Sequence, residues 1–123
     1  MPKIIAALLC SALLAGCAST FGEKWSKTDT NREILWQGVN VIDWGQTRYI
    51  AKHPEKYQEN NPIIGKHPST GAVDIYMASS ALLHPIAAAY LKPKYRKWFQ
   101  YITIGMSGGC VLNNVNIGVK IGF

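Results

Sequence analysis

Acidic residues are scarce and stop early. The chain carries 7 Asp and Glu against 13 Lys and Arg, and after Asp74 there is no acid at all, while Lys92, Lys94, Arg96, Lys97 and Lys120 remain. From Cys17 to Asp74 the two signs cancel, so the net charge of +6 lies mainly in the second half. A basic, acid-free half beside long apolar stretches suits a membrane surface with anionic headgroups. It does not suit nucleic acid, for which no binding motif is present. Cysteine is equally sparse. Of Cys10, Cys17 and Cys110, the first falls in a leader and the second in a lipid-attachment pattern, which leaves one thiol and excludes an intramolecular disulfide framework. No cofactor motif and no recognised catalytic spacing occurs, so no cofactor, metal or catalytic residue is expected.

What is present begins with a leader. Lys3 is followed by an apolar run from Ile4 to Gly16, too short to span a bilayer comfortably and of signal-peptide type. It closes on Leu14-Ala15-Gly16-Cys17, which resembles the lipobox of bacterial lipoprotein precursors. Residues 1–16 are therefore read as a signal peptide, Cys17 as the lipid attachment site, 17–32 as a polar tether and 33–123 as one small membrane-associated domain. Thr30 or Asn31 is the expected N-cap of the first helix.

The domain reads as all-α, with three apolar helical segments at about 33–51, 72–91 and 98–114 and a short extended C-terminal tail. In the first, Asn40, Asp43, Gln46 and Thr47 recur at helical spacing and form one polar stripe. It either faces water or makes a buried seam against another helix or a ligand. As the only acid in the interior of that segment, Asp43 is expected to hold a partner: Arg48, His84, Asn113 or Asn114. The second segment is free of charge from Ile75 to Leu91, and Pro85 within it frees the carbonyl of Ala81, for which Ser80 or His84 is a local partner. Lys92 to Lys97 reads as a basic turn. The positive-inside tendency places it in the cytoplasm, opposite the lipid. Trp98 to Val119 carries no formal charge, and Trp98 and Tyr101 suit a headgroup-level aromatic belt. From Val115 to Phe123 apolar residues alternate strictly, the period of an extended chain.

Residues 52–71 are rich in Pro, Gly and Asn and read as a long loop. Glu59, Asn60, Asn61 and His67 are its candidate contact residues. Lys-His-Pro occurs twice, at 52–54 and 66–68. His53, His67 and His84 thus raise a metal-site hypothesis, but no acid or thiol cluster completes a ligand set.

Three blocks carry a resemblance: Asp43-Trp-Gly-Gln-Thr47, the loop Glu59-Asn-Asn-Pro-Ile-Ile-Gly-Lys-His-Pro-Ser69, and Asn113-Asn114. From about Trp36 onward the chain resembles a group of small uncharacterised lipoprotein-like membrane proteins of proteobacteria and their phages. The resemblance implies a compact helical membrane-associated fold and supplies no catalytic residue. It also makes a phage-type superinfection-exclusion or lysis-accessory role an alternative. The expected function is a non-enzymatic structural or interaction role in the cell envelope, the inner membrane favoured and the outer membrane the alternative. Its partners would be membrane lipids and another envelope protein; a membrane-embedded enzyme is the reading with least support.

Overall fold

A computed structural model describes residues 24–123. The signal peptide, the lipid site Cys17 and most of the tether lie outside the described residues. Three helices follow one another: α1 (Lys27–Lys52), α2 (Thr70–Tyr90) and α3 (Pro93–Asn116). The fold is all-α, with no strand among the described residues.

Each helix end has a local cause. Ser26 caps α1, its hydroxyl accepting from Asp29 N while Asp29 accepts from Ser26 N, a reciprocal capping box. The helix therefore starts six residues before position 33, and residues 27–32 are helical, not tether. Thr30 and Asn31 lie inside the first turns. The early start was hidden because this part of α1 buries polar residues, Asp29 and Glu33, so no apolar period marks it. His53 ends α1 ahead of Pro54, as the restriction on residues before proline favours. Ser69 caps α2 by accepting from Ala72 N.

Lys92 to Lys97 is not a turn. Pro93 opens α3 at its first position, where a missing N–H costs nothing. Only Leu91 and Lys92 link the two helices. At the far end α3 runs to Asn116 and stops in a paired closure, Val119 N donating to Asn114 O and Gly118 N to Val115 O, with Gly118 at φ +83°. This is the Schellman arrangement, and it requires the left-handed backbone that glycine supplies.

Partner residues give the topology. Asp29 near the start of α1 meets Arg96 near the start of α3, and Gln46 meets Asn114 near their ends, so α1 and α3 run parallel. Glu33 meets His84 late in α2 and Arg48 meets Asp74 early in it, so α2 runs the other way. α1 packs against both neighbours, which share a much smaller interface with each other. The tail folds back along α1, where Gly122 N donates to Gly45 O and Val119 packs with Ile50 and Tyr57.

Polar and apolar side chains share the interior. Among the described residues nine polar or charged ones are buried, Asp29, Glu33, Gln46, Arg96 and Gln100 among them, beside Trp36, Val73 and Met77, while Leu35, Ile75, Leu83, Trp98, Met106 and Leu112 are exposed. Ile75 is 72% exposed and Arg96 0%. Among the described residues only α2 is long and apolar enough overall to cross a membrane. In α1 and α3 the buried polar stripe lowers the average, although each exposes apolar residues, Leu35, Val41 and Ile42 on α1 and Ile102, Met106 and Leu112 on α3.

Candidate functional site

Two polar assemblies occupy the interior, one at each end of the bundle. The first is built on Asp29 and Glu33, one turn apart on α1. Arg96 of α3 donates from Nη1 to Asp29 Oδ2 at 3.1 Å, from Nε to Ala88 O at 2.9 Å and from Nη2 to Leu91 O at 3.0 Å. It thereby satisfies carbonyls at the end of α2, a helix with no basic residue in its own last turn. Arg32 bonds the other Asp29 oxygen and donates from Nε to Gln100 Oε1 at 2.9 Å, while Gln100 Nε2 donates to Asp29 O and Glu33 Oε2. The charges are taken from water only as members of a connected set, the condition under which buried ions persist.

His84 belongs to this assembly. Its ring lies between Trp36, at a centroid distance of 3.7 Å and an angle of 7°, and Phe99, at 4.6 Å. Nδ1 is 2.9 Å from both Glu33 oxygens and Nε2 is 2.7 Å from Thr103 Oγ1. The Thr103 hydroxyl also reaches two carbonyls of the preceding turn. With Nδ1 on the Glu33 carboxylate and Nε2 on the Thr103 hydroxyl, neither ring nitrogen is left for a substrate. His84 is a strut tying α2 to α1 and α3. The carbonyl of Ala81 freed by Pro85 is met by Gln37 Nε2 of α1 at 2.8 Å, not by Ser80 or His84. Ser80 bonds Tyr76 O instead.

The second assembly surrounds a recess of about 90 Å³ between α1, the 53–69 loop and α3. Asp43, Thr47, Glu59, Asn60, Asn61 and Asn114 are among the residues that line it. Thus Asp43 and Thr47 of the α1 stripe meet Glu59, Asn60 and Asn61 of the loop, and Asn113 and Asn114 join from α3. Asn40 and Gln46 are buried elsewhere along the seam, and His67 is exposed on the loop. The loop holds itself in shape. Glu59 N donates to Lys66 O, Asn61 N to Glu59 Oε1 and Ile63 N to Asn61 Oδ1, and Gly65 turns at φ +80°.

Asp43 does not hold the expected partner. Arg48 pairs with Asp74, which also accepts from Trp44 Nε1 at 2.7 Å, and His84 pairs with Glu33. Asn114 donates to Gln46. The reason is one of facing: Arg48 and Trp44 turn toward α2, whereas Asp43 turns toward the loop and lies close enough to Glu59 to be repelled by it.

The three histidines are dispersed. His53 caps the end of α1, its ring bonded to Tyr49 O, His67 is exposed and His84 is buried. Among the described residues no group of three His, Cys, Asp or Glu gathers to hold a metal.

The chain matches no protein-family model, no curated protein and no solved structure.

Sequence reasoning missed Asp29, Glu33, Arg96 and Gln100, and a signal for them existed. On α3 the residues Arg96, Gln100, Thr103, Ser107, Cys110 and Asn114 follow alternating steps of four and three, the period of a helix seam. On α1 the stripe beginning at Asn40 extends back through Glu33 to Asp29. Polar residues here keep the rhythm that apolar ones keep in soluble bundles.

Proposed function

We propose that the chain is a lipid-anchored envelope protein whose bundle is set into a bilayer, with a structural or partner-binding role and no catalysis. One observation carries the reading. Between positions 34–47 of α1, 75–90 of α2 and 98–115 of α3, no exposed residue bears a charge, and the half-exposed Asp74 sits just beyond that band. The exposed cations Lys24, Lys27, Lys92, Lys94 and Lys97 lie at one end, and Lys52, Lys56, Lys66 and Lys120 at the other. An apolar girdle between two charged rims matches a hydrocarbon layer bounded by headgroups. The connected polar interior is what such a setting demands of buried ions. Exposed Tyr90, Tyr95, Trp98 and Tyr101 gather near the first rim, the level at which aromatic residues anchor.

With Cys17 as the lipid site, the lipid and the lysines of the first rim share one membrane face. From Cys17 to Lys24 the chain reaches at most about 25 Å, less than the roughly 30 Å hydrocarbon core. That removes the arrangement in which Lys92–Lys97 lie in the cytoplasm opposite the lipid. In the inner membrane, favoured because α2 would act as a stop-transfer segment, the first rim is periplasmic; the outer membrane is the alternative.

Carbonate extraction of a Cys17→Ala variant carrying a cleavable non-lipoprotein signal tests insertion. The protein should stay in the membrane pellet, and release into the supernatant would overturn the bilayer reading. Labelling with a lipid precursor tests the anchor: processed, labelled protein from Cys17→Ala behind its own leader would remove Cys17 as the site. A cysteine introduced at Lys94 should react with an impermeant thiol reagent in intact spheroplasts. Protection there would place the first rim in the cytoplasm.

A further inference from the structure

We propose that the recess between α1, the 53–69 loop and α3 binds a hard divalent cation, held by the Asp43 and Glu59 carboxylates with the Thr47 hydroxyl and the Asn114 side-chain carbonyl. The proposal goes beyond the membrane role and does not depend on it.

The charge balance of the recess comes first. Two carboxylates line it, and no lysine, arginine or histidine does, although the chain as a whole carries +6. Asp43 makes no hydrogen bond or ion pair with any described residue, and its strongest charged neighbour is Glu59, which repels it. One Glu59 oxygen accepts from Asn61 N at 2.9 Å and the other is free. Elsewhere in the interior each acid is paired with an arginine or a histidine. Two unpaired carboxylates facing one small space call for a positive occupant.

The second observation is independent of the acids. Thr47 is 2% exposed and lines the recess, yet its hydroxyl has no hydrogen-bond partner among the described residues. The half-buried hydroxyl of Thr103, by contrast, bonds to the preceding turn. Asn114, 9% exposed, presents an oxygen for a reason that can be traced through its neighbours. The carbonyl of Val111 can only accept, so Gln46 must turn its NH2 toward it, at 3.4 Å. That leaves Gln46 Oε1 to receive the Asn114 NH2 at 3.1 Å, and Asn114 Oδ1 remains without a donor. Carboxylate, hydroxyl and amide oxygens without a nitrogen or thiolate requirement form the donor set of Mg²⁺ and Ca²⁺.

The space agrees with the chemistry. A recess of about 90 Å³ is well above the roughly 10–15 Å³ that holds one water, enough for an ion that keeps some of its waters. Mg²⁺ in particular is commonly bound through one or two carboxylates while retaining water. With only two carboxylates, affinity in the range of about 0.1–1 mM is expected.

The test is thermal unfolding of the full processed protein in neutral detergent, with MgCl2 and CaCl2 titrated separately at constant ionic strength. One of the two ions should raise the midpoint by about 5 °C at a few millimolar. Asp43→Asn should weaken that response about tenfold or more. Thr47→Val keeps the side-chain shape and should weaken it about fivefold, so the assignment stays testable if the Asp43 variant does not fold. No midpoint change with either ion, or equal responses from wild type and both variants, would overturn the proposal. A midpoint raised by methylammonium chloride and by neither metal would overturn it in favour of an ammonium-bearing ligand.

Discussion

The two ends of the bundle use buried polar residues in opposite ways. At the first end Asp29, Arg32, Glu33, His84, Arg96 and Gln100 close on one another, and no charge is left without a counter-charge. At the second, Asp43, Thr47 and Glu59 face a recess that two carboxylates and no cationic side chain line. The same seam of α1 supplies both, Glu33 and Asp43 lying less than three turns apart. Burial of a polar side chain therefore does not define its role; what faces it does. A saturated set resists substitution because each member completes another, whereas an open set is built around something still to be added.

Arg96→Leu should break the comparison most severely, because it removes one of the two arginines on Asp29 and the donors to the carbonyls at the end of α2 together. Removing one member of a buried ion set costs about 3–5 kcal/mol, read as loss of protease resistance and a lowered unfolding midpoint in detergent. A loss below about 1 kcal/mol would mean that water already reaches this end. Next comes Glu33. Glu33→Leu leaves His84 Nδ1 without an acceptor and Gln100 Nε2 with Asp29 O alone and should cost about 2–3 kcal/mol, whereas Glu33→Gln keeps an acceptor and should cost about half as much. Equal losses would show that packing, not the bond to His84, holds this position.

Gly122→Ala probes the tail that covers the second end. An added Cβ would lie 2.9 Å from Tyr49 Cα and 3.0 Å from Tyr49 N, both backbone atoms that cannot step aside. Overpacking there should cost about 1–2 kcal/mol and expose the C-terminus to carboxypeptidase. Gly45→Ala meets the ends of the Ile121 and Phe123 side chains instead, which can rotate, so its effect should be smaller. The least effect is expected of Asp43→Asn in metal-free buffer. With no partner to lose and the repulsion from Glu59 removed, it should lie within about 0.5 kcal/mol of wild type or slightly above it. A loss of 2 kcal/mol or more would place Asp43 in a saturated set like that at the first end.

How far the fold could be read from the residues followed from the same polar interior. α2 was legible to within two residues of its ends, since Ile75 to Leu91 is continuously apolar. The first turns of α1 and α3 were not, because Asp29, Glu33 and Arg96 point inward and a reader looking for apolar period sees only a polar tether and a basic turn. At the recess the sequence marked Asp43, Thr47, Glu59, Asn60 and Asn61 as polar positions worth attention. It could not show that Arg48 would turn to Asp74, since that depends on the angle at which α2 crosses α1. The alternation from Val115 reads as an extended tail, whereas α3 runs on to Asn116; the seat of the tail along α1 was not legible, since it depends on Gly45 and Gly122 leaving room for two backbones to meet at 2.8 Å.

The unequal apolarity of the helices also bears on the order in which the molecule can be assembled. In a bilayer, α2 carries one charged residue, Asp74, in its second turn and partitions as a lone segment. α1 carries Asp29, Arg32, Glu33, Asp43 and Arg48 along its length, at about 2.5–3.5 kcal/mol for each charge near the centre of a lone helix. On the bilayer reading proposed above, it would not precede its partners into the lipid. The first of the three described helices to leave the ribosome would then be the last to settle, once His84 and Arg96 are there to receive it.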